Sequence, residues 1–228
     1  MSEFSPVLIS AQLSAGLAVN DDYSPDLGAV LEYCWLVSNN LFSTNPDPHN
    51  LIEVPLPIEK QLLGDDWQWA ISSPCYNYVV ESVERCRKRW DADSIHPVNW
   101  SSQRANVQTN GGPFKSADVP VSIRITSAVH WYAVGNPTAI ERLLGHAPAI
   151  GQRRGAGYGQ VWRWTVSSTE ADWTLTRDGQ LMRPIPVRLA EMLHARPTGR
   201  LQRWNTKAPR WDKTNAELCF MPEGLVGR

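Results

Sequence analysis

Near the start of the chain, Val7, Ile9, Ala11 and Leu13 alternate with Leu8, Ser10, Gln12 and Ser14. A period of two predicts a strand with one buried face. After an Asn/Asp-rich loop at 20–26 the period lengthens, and Leu27, Val30, Leu31, Cys34 and Trp35 fall on one helical face. Ser24 is placed to cap that helix, with Pro25 in its first turn and Asp26 near the positive end of its dipole. Asn39, Asn40 and Asn45, with Pro46, Pro48, Pro55 and Pro57, mark a loop or extended connection over 38–58.

The middle of the chain reads as an insertion over residues 60–119, projecting from a core domain made of 1–59 and 120–178. Trp67, Trp69 and Ile71 alternate as in a short strand. Tyr76, Val79, Val80, Val83 and Cys86 fit a helix whose other face carries basic residues up to Arg89. Polar residues with Asn-Gly-Gly-Pro at 110–113 read as loop. From 120 onward Val121, Ile123, Ile125, Val129 and Trp131 predict a long strand broken near Ser127. Asn136 then caps a helix with Pro137 at its first position and Gly145 at its end. Ala139, Ile140, Leu143 and Leu144 supply its apolar stripe, and a strand follows over roughly 160–168. Strand, helix, insertion, strand, helix, loop, strand is the order of an α+β unit of ferredoxin-like or RRM-like type. Residues 179–228 read as a C-terminal extension containing a short amphipathic helix at 187–195.

Composition places the chain among globular proteins: 42% of its 228 residues are hydrophobic and 20% charged. No apolar run reaches the length of a membrane span, and Met1-Ser2-Glu3-Phe4 lacks the pattern of a secretory signal. Cys34, Cys75, Cys86 and Cys219 are scattered without a Cys-x-x-Cys pair, so neither zinc nor a disulfide framework is expected. A cytoplasmic protein with buried thiols and no cofactor fits these features. The net charge of −1 hides an asymmetry, because residues 1–66 hold ten acids and one base. Bases gather at Arg85, Arg87, Lys88 and Arg89, at Arg153 and Arg154, and between Arg196 and Lys213. Several of the 11 tryptophans sit beside them: Trp90, Trp162, Trp164, Trp204 and Trp211. Aromatic rings next to bases suit stacking combined with phosphate contact, although most such rings in any protein pack in its core.

The densest chemistry lies in Ile150-Gly151-Gln152-Arg153-Arg154-Gly155-Ala156-Gly157-Tyr158-Gly159-Gln160-Val161. Its glycines permit positive φ and close approach of a ligand to backbone N–H groups. Successive N–H groups can form an anion-binding hollow, and two adjacent guanidinium forks match phosphate oxygens. Tyr158 adds a ring. A dinucleotide fingerprint needs Gly-x-Gly-x-x-Gly leading into a helix, whereas this spacing is Gly-x-Gly-x-Gly leading into a strand. The Gly-Lys-Ser/Thr of a Walker loop is missing. A tight helix-to-strand turn would explain the glycines but not both arginines.

A glycine-rich loop between the second helix and last strand of such a unit resembles that of the RAMP superfamily of CRISPR-associated proteins. Trp131-Tyr132-Ala133-Val134-Gly135 through Ile140, Leu143 and Leu144, then Ile150 to Arg154 and Gly157 to Val161 with Trp164, resembles the guide-RNA 5′-handle-binding subunit of type IV CRISPR effector complexes. Leu27 to Trp35, Ser72-Ser73, Phe114-Lys115, Arg183-Pro184-Ile185-Pro186 and Cys219 to Pro222 agree with it. The resemblance implies a crRNA-binding protein of antiviral defence that caps one end of a ribonucleoprotein filament. Its partners there are the RNA 5′ handle, the adjacent backbone subunit and the large subunit, with target DNA a further candidate contact. It makes Gln152, Arg153, Arg154, Gly155, Gly157, Tyr158 and Gly159 the RNA-binding candidates. Lys115 and the cluster Arg85, Arg87, Lys88 and Arg89 join them on composition.

Some relatives of this kind cut precursor RNA without metal, which requires a base for the 2′-OH and an acid for the leaving oxygen. His130, two residues from Tyr132 on one strand face, is the best base. A strand histidine is more often structural, and acids near the loop are too few for a metal site. No catalysis is expected. A metal-free endoribonuclease and a free-standing RNA-binding module stay open as alternatives.

Overall fold

The computed structural model describes residues 4–42, 54–88, 117–193, 195, 199–207 and 213–227. Of the expected RNA contacts, Arg89 and Lys115 lie outside these residues, as do the side chain of Lys88 and most of the loop read over 91–119.

In chain order the first elements are β1 (Ser5–Leu13), β2 (Leu17–Val19) and α1 (Leu27–Ser38). Next come β3 (Lys60–Leu63), β4 (Asp66–Trp69), β5 (Tyr76–Asn77), β6 (Val80–Lys88), β7 (Ala117–Ile125), β8 (Ala128–Gly135), α2 (Pro137–Leu144) and β9 (Val161–Ser168). The C-terminal part holds β10 (Thr176–Arg177), β11 (Gln180–Leu181), β12 (Ile185–Pro186), α3 (Val187–Ala190), β13 (Leu201–Trp204), β14 (Glu217–Phe220) and β15 (Val226–Gly227).

The central sheet runs β8–β1–β9, antiparallel throughout, with the first strand of the chain in its middle. Alternation along β1 puts Val7, Ile9 and Ala11 at 0% exposure on the helix side. They meet Leu27, Leu31 and Cys34 of α1, Ile140 and Leu144 of α2, and Val129 and Trp131 of β8. Fully burying each large side chain of this set stabilises the fold by about 1.5–3 kcal/mol. Trp131 Nε1 donates to the Pro25 carbonyl (3.1 Å), and that of the half-buried Trp164 to the Ala147 carbonyl (2.9 Å), so neither ring strands its N–H. This α+β architecture has the ferredoxin-like strand order. The place of a fourth strand, along the free edge of β8, is taken by an irregular segment. Its bridges are Ile58 to Gly135, Ile71 to Ala133 and Cys75 to His130. Trp69, Ile71 and Tyr76, all within the stretch read as insertion, bury in this same core.

Two local expectations need correction. Residues 76–86 are not helical: β6 pairs residue for residue with β7, from Val80 opposite Ile125 to Lys88 opposite Ala117. Its β-branched Val80 and Val83 suit a pleated surface, and cross-strand charge pairs fix the register. Arg85 and Arg87 both reach Asp118. That partner strand lies some 30 residues on, beyond the reach of local periodicity. Nor is Ser24 the cap of α1. Asp26 is, its carboxylate accepting the Ala29 N–H at 3.0 Å, so the helix starts at Leu27. Asn136 caps α2 as expected, accepting from Ala139 at 2.9 Å.

A second sheet, β2–β7–β6, grows directly out of the end of β1. A third, β12–β14–β13, belongs to the C-terminal extension. It is fastened to the segment beside β8 by the buried Arg183, which donates to the Trp69 and Ile71 carbonyls (2.6 and 3.2 Å). Asp66, the first residue of β4, accepts from Arg188 (2.5 Å) and from Lys207. No helix among the described residues is long and apolar enough to cross a membrane.

Candidate nucleic-acid interface

The loop between α2 and β9 is stitched to the start of the second sheet. Gln152 N–H donates to the Ala18 carbonyl (2.9 Å) and Gly159 N–H to that of Gly16 (2.8 Å). Two of its glycines exist for this attachment. Gly151 and Gly159 have φ of 76° and 62°, and a Cβ at Gly159 would stand 1.9 Å from the Ile150 oxygen. Gly157, at φ 92°, needs its conformation but has open space around it. Gly155 needs neither, since φ is not positive and nothing lies within 4 Å of a Cβ there. The fold therefore accounts for three of the four glycines.

Between these anchors, residues 153–157 are exposed. Arg153 takes the left-handed conformation (φ 53°, ψ 30°), and Arg154–Ala156 make a single 3-10 turn closed by donation from Ala156 to the Arg153 carbonyl (2.8 Å). A left-handed non-glycine residue costs of order 1–3 kcal/mol and persists where its surroundings impose it, most often at functional positions. Among the described residues the N–H groups of Arg153, Arg154 and Gly155 have no backbone acceptor. Arg154 lies 4.8 Å over the Tyr33 ring. Neither arginine has a carboxylate partner among the described residues. Among the described residues, then, two guanidinium groups without a carboxylate stand beside three successive amides without a backbone acceptor, donor chemistry of the kind that anions take.

The other candidates are placed differently. The Tyr158 hydroxyl donates to the Glu84 carboxylate of β6, and its ring packs on Ala18, Val121, Ile123 and Cys86. That hydrogen bond pushes the hydroxyl pKa up. Tyr158 thus joins the loop to the β6–β7 hairpin. Glu84 and Cys86 face the loop, so strand alternation puts Arg85 and Arg87 on the opposite face of the hairpin. Asp118 already neutralises part of their charge there, and they hold its carboxyl below the ordinary range. The structure brings Gln152 to Gly159 together but leaves Arg85 and Arg87 apart from them.

Three residues absent from the candidate set complete the surroundings. Tyr33 of α1, with Arg203 and Trp204 of β13, lines a groove of about 510 Å³ whose near wall is Ile150 to Gln152 and Arg154. Arg203 and Trp204 carried a signal in the sequence, a base followed by a ring, but nothing local tied them to the loop.

His130 and Tyr132 do share a face of the central sheet, opposite the helices. The Ser10 hydroxyl lies 2.7 Å from His130 Nδ1, and burial pushes the imidazole pKa down. The Tyr132 ring meets Trp173 edge to face at 5.0 Å. Among the described residues no group of three or more His, Cys, Asp or Glu is placed to hold a metal ion.

No curated protein matches the chain. The family model for CRISPR type IV associated protein Csf3 matches residues 5–222, nearly its whole length, and the chain belongs to that family.

Proposed function

We propose that this protein is the RAMP-type, non-catalytic subunit that grips the 5′ handle of the guide RNA and caps one end of a type IV effector complex. It would contact the adjacent backbone subunit and the large subunit and contribute to recognition of target DNA. Membership of a type IV CRISPR-associated family implies a multisubunit setting. The observation that carries the reading is the exposed 153–155 turn, with its left-handed Arg153 and, among the described residues, guanidinium groups without a carboxylate partner and amides without a backbone acceptor. A handle of unpaired nucleotides presents phosphates at successive positions, which such a turn can hold irrespective of base.

Binding of handle RNA by the full-length chain, titrated across salt concentrations, tests it. Arg153→Ala with Arg154→Ala should weaken binding by at least about tenfold, since a hydrogen bond to a charged group is worth about 1.5–3 kcal/mol. The salt slope should flatten by about 0.7 for each lost phosphate contact. Unchanged affinity and slope remove the loop from the RNA site. Placement of His130 and Tyr132 on one sheet face keeps a metal-free endoribonuclease as a second reading. Specific cleavage of repeat RNA in chelator, abolished by His130→Ala, would put that reading first.

A further inference from the structure

We propose that the groove behind the loop receives a single unpaired nucleotide, its base against Trp204 and its phosphate between Arg154 and Arg203. The proposal rests on the reading that the loop holds RNA, and it adds α1 and the C-terminal extension to the site.

Four observations lead there. The groove's volume, about 510 Å³, falls in the range of small-ligand sites and has room for one nucleotide. Its lining is mostly apolar or aromatic, including Pro25, Val30, Tyr33, Ile150 and Trp204. Such walls suit a base lifted out of a stack. Arg203 has no carboxylate partner among the described residues, and Arg154 is occupied only by the Tyr33 ring. The single acid in the lining, Asp26, directs a carboxylate oxygen to the Ala29 N–H as the cap of α1.

Trp204 is well supported as a platform. Tyr23 meets it edge to face at 5.4 Å, and it packs beside Cys219 and Met221. Arg154 is pre-positioned by Tyr33, so little side-chain freedom is lost when an anion arrives. A neutral apolar peptide would fit the walls but leave two guanidinium groups covered and unpaired, at considerable cost. A nucleotide satisfies both parts of the lining.

The experiment uses the full-length chain and a short single-stranded oligoribonucleotide containing photoreactive thiouridine. After irradiation, the attachment site is mapped by mass spectrometry on the unsubstituted protein. Affinity is measured for Trp204→Leu, Arg203→Ala and the loop pair Arg153→Ala/Arg154→Ala, with melting curves to verify folding. Attachment at Trp204 or Tyr33 is expected, with about a tenfold loss of affinity in Trp204→Leu, the order found for one stacked base. Arg203 is exposed, so Arg203→Ala reports on the groove even where the tryptophan variant fails to fold. Attachment confined to residues 151–159, with Arg203→Ala and any folded Trp204→Leu unchanged, overturns the groove and leaves the loop reading standing. Unchanged affinity in the loop pair as well sinks both. A photoreactive amino acid at position 203 in the assembled complex supplies the last arm. Capture of a protein segment there instead of RNA assigns the groove to an acidic peptide and overturns the proposal.

Discussion

At the scale of the residue, the four loop glycines divide into anchors and surface, and the division can be measured. Gly159→Ala forces a Cβ onto the Ile150 carbonyl at a left-handed φ and should destabilise the protein by more than about 1 kcal/mol. Gly155→Ala should melt with the unsubstituted chain and lose RNA affinity, because only an approaching ligand would meet its methyl group. Equal affinity for RNA would leave Gly155 without a role. Arg153→Gly relieves the left-handed backbone and should stabilise the protein by up to about 1 kcal/mol while weakening RNA binding. Thermal melts and binding titrations read the two effects separately, and lower stability would mean that the conformation carries no strain. None of this partition was legible in the sequence, where four glycines within nine residues look alike.

At the scale of the element, legibility followed the distance between partners in the chain. Strand β1, helix α2 with its Asn136 cap, and strands β7 to β9 follow from local periodicity and cap chemistry. Strand β6 does not, because its apolar residues also satisfy a helical period and its partner β7 lies beyond a long intervening segment. That misreading matters for the site. On a helix, the basic residues would have formed one face, whereas in the hairpin Arg85 and Arg87 stand away from the loop and share Asp118. Arg85→Ala with Arg87→Ala should therefore reduce RNA affinity less than the loop pair does, in the same titration. An equal or larger loss would bring the far face of the hairpin into the RNA path.

At the scale of the molecule, the extension is not an appendage. Arg183, Arg188 and Lys207 bind it to the β3–β4 region, and β13 supplies one wall of the groove. Burial alone would raise the Asp66 carboxyl. The Lys207 and Arg188 donors and the Trp67 N–H outweigh burial and hold it at about 2, against an ordinary 3.8. A depressed folded pKa stabilises above the unfolded value, and that contribution disappears as pH falls from 3.8 towards 2. Melting temperature should thus fall more steeply in this window for the unsubstituted protein than for Asp66→Asn. Parallel curves would show that the network does not fasten the extension. The sequence marked the extension as a separate stretch through its proline and glycine breaks, but its docking depends on side chains 112 to 141 residues from their partners.

The position of β1 in the middle of its sheet bears on how the chain is made. This strand leaves the ribosome well before both of its neighbours, β8 and β9, which come from residues 128–168. At about 5–20 residues per second, some tens of seconds at most separate its emergence from its pairing. During that interval an apolar segment with two open edges waits in the nascent polypeptide. Protection during synthesis, by a chaperone or by a cognate subunit translated nearby, would decide how much of it reaches the native state.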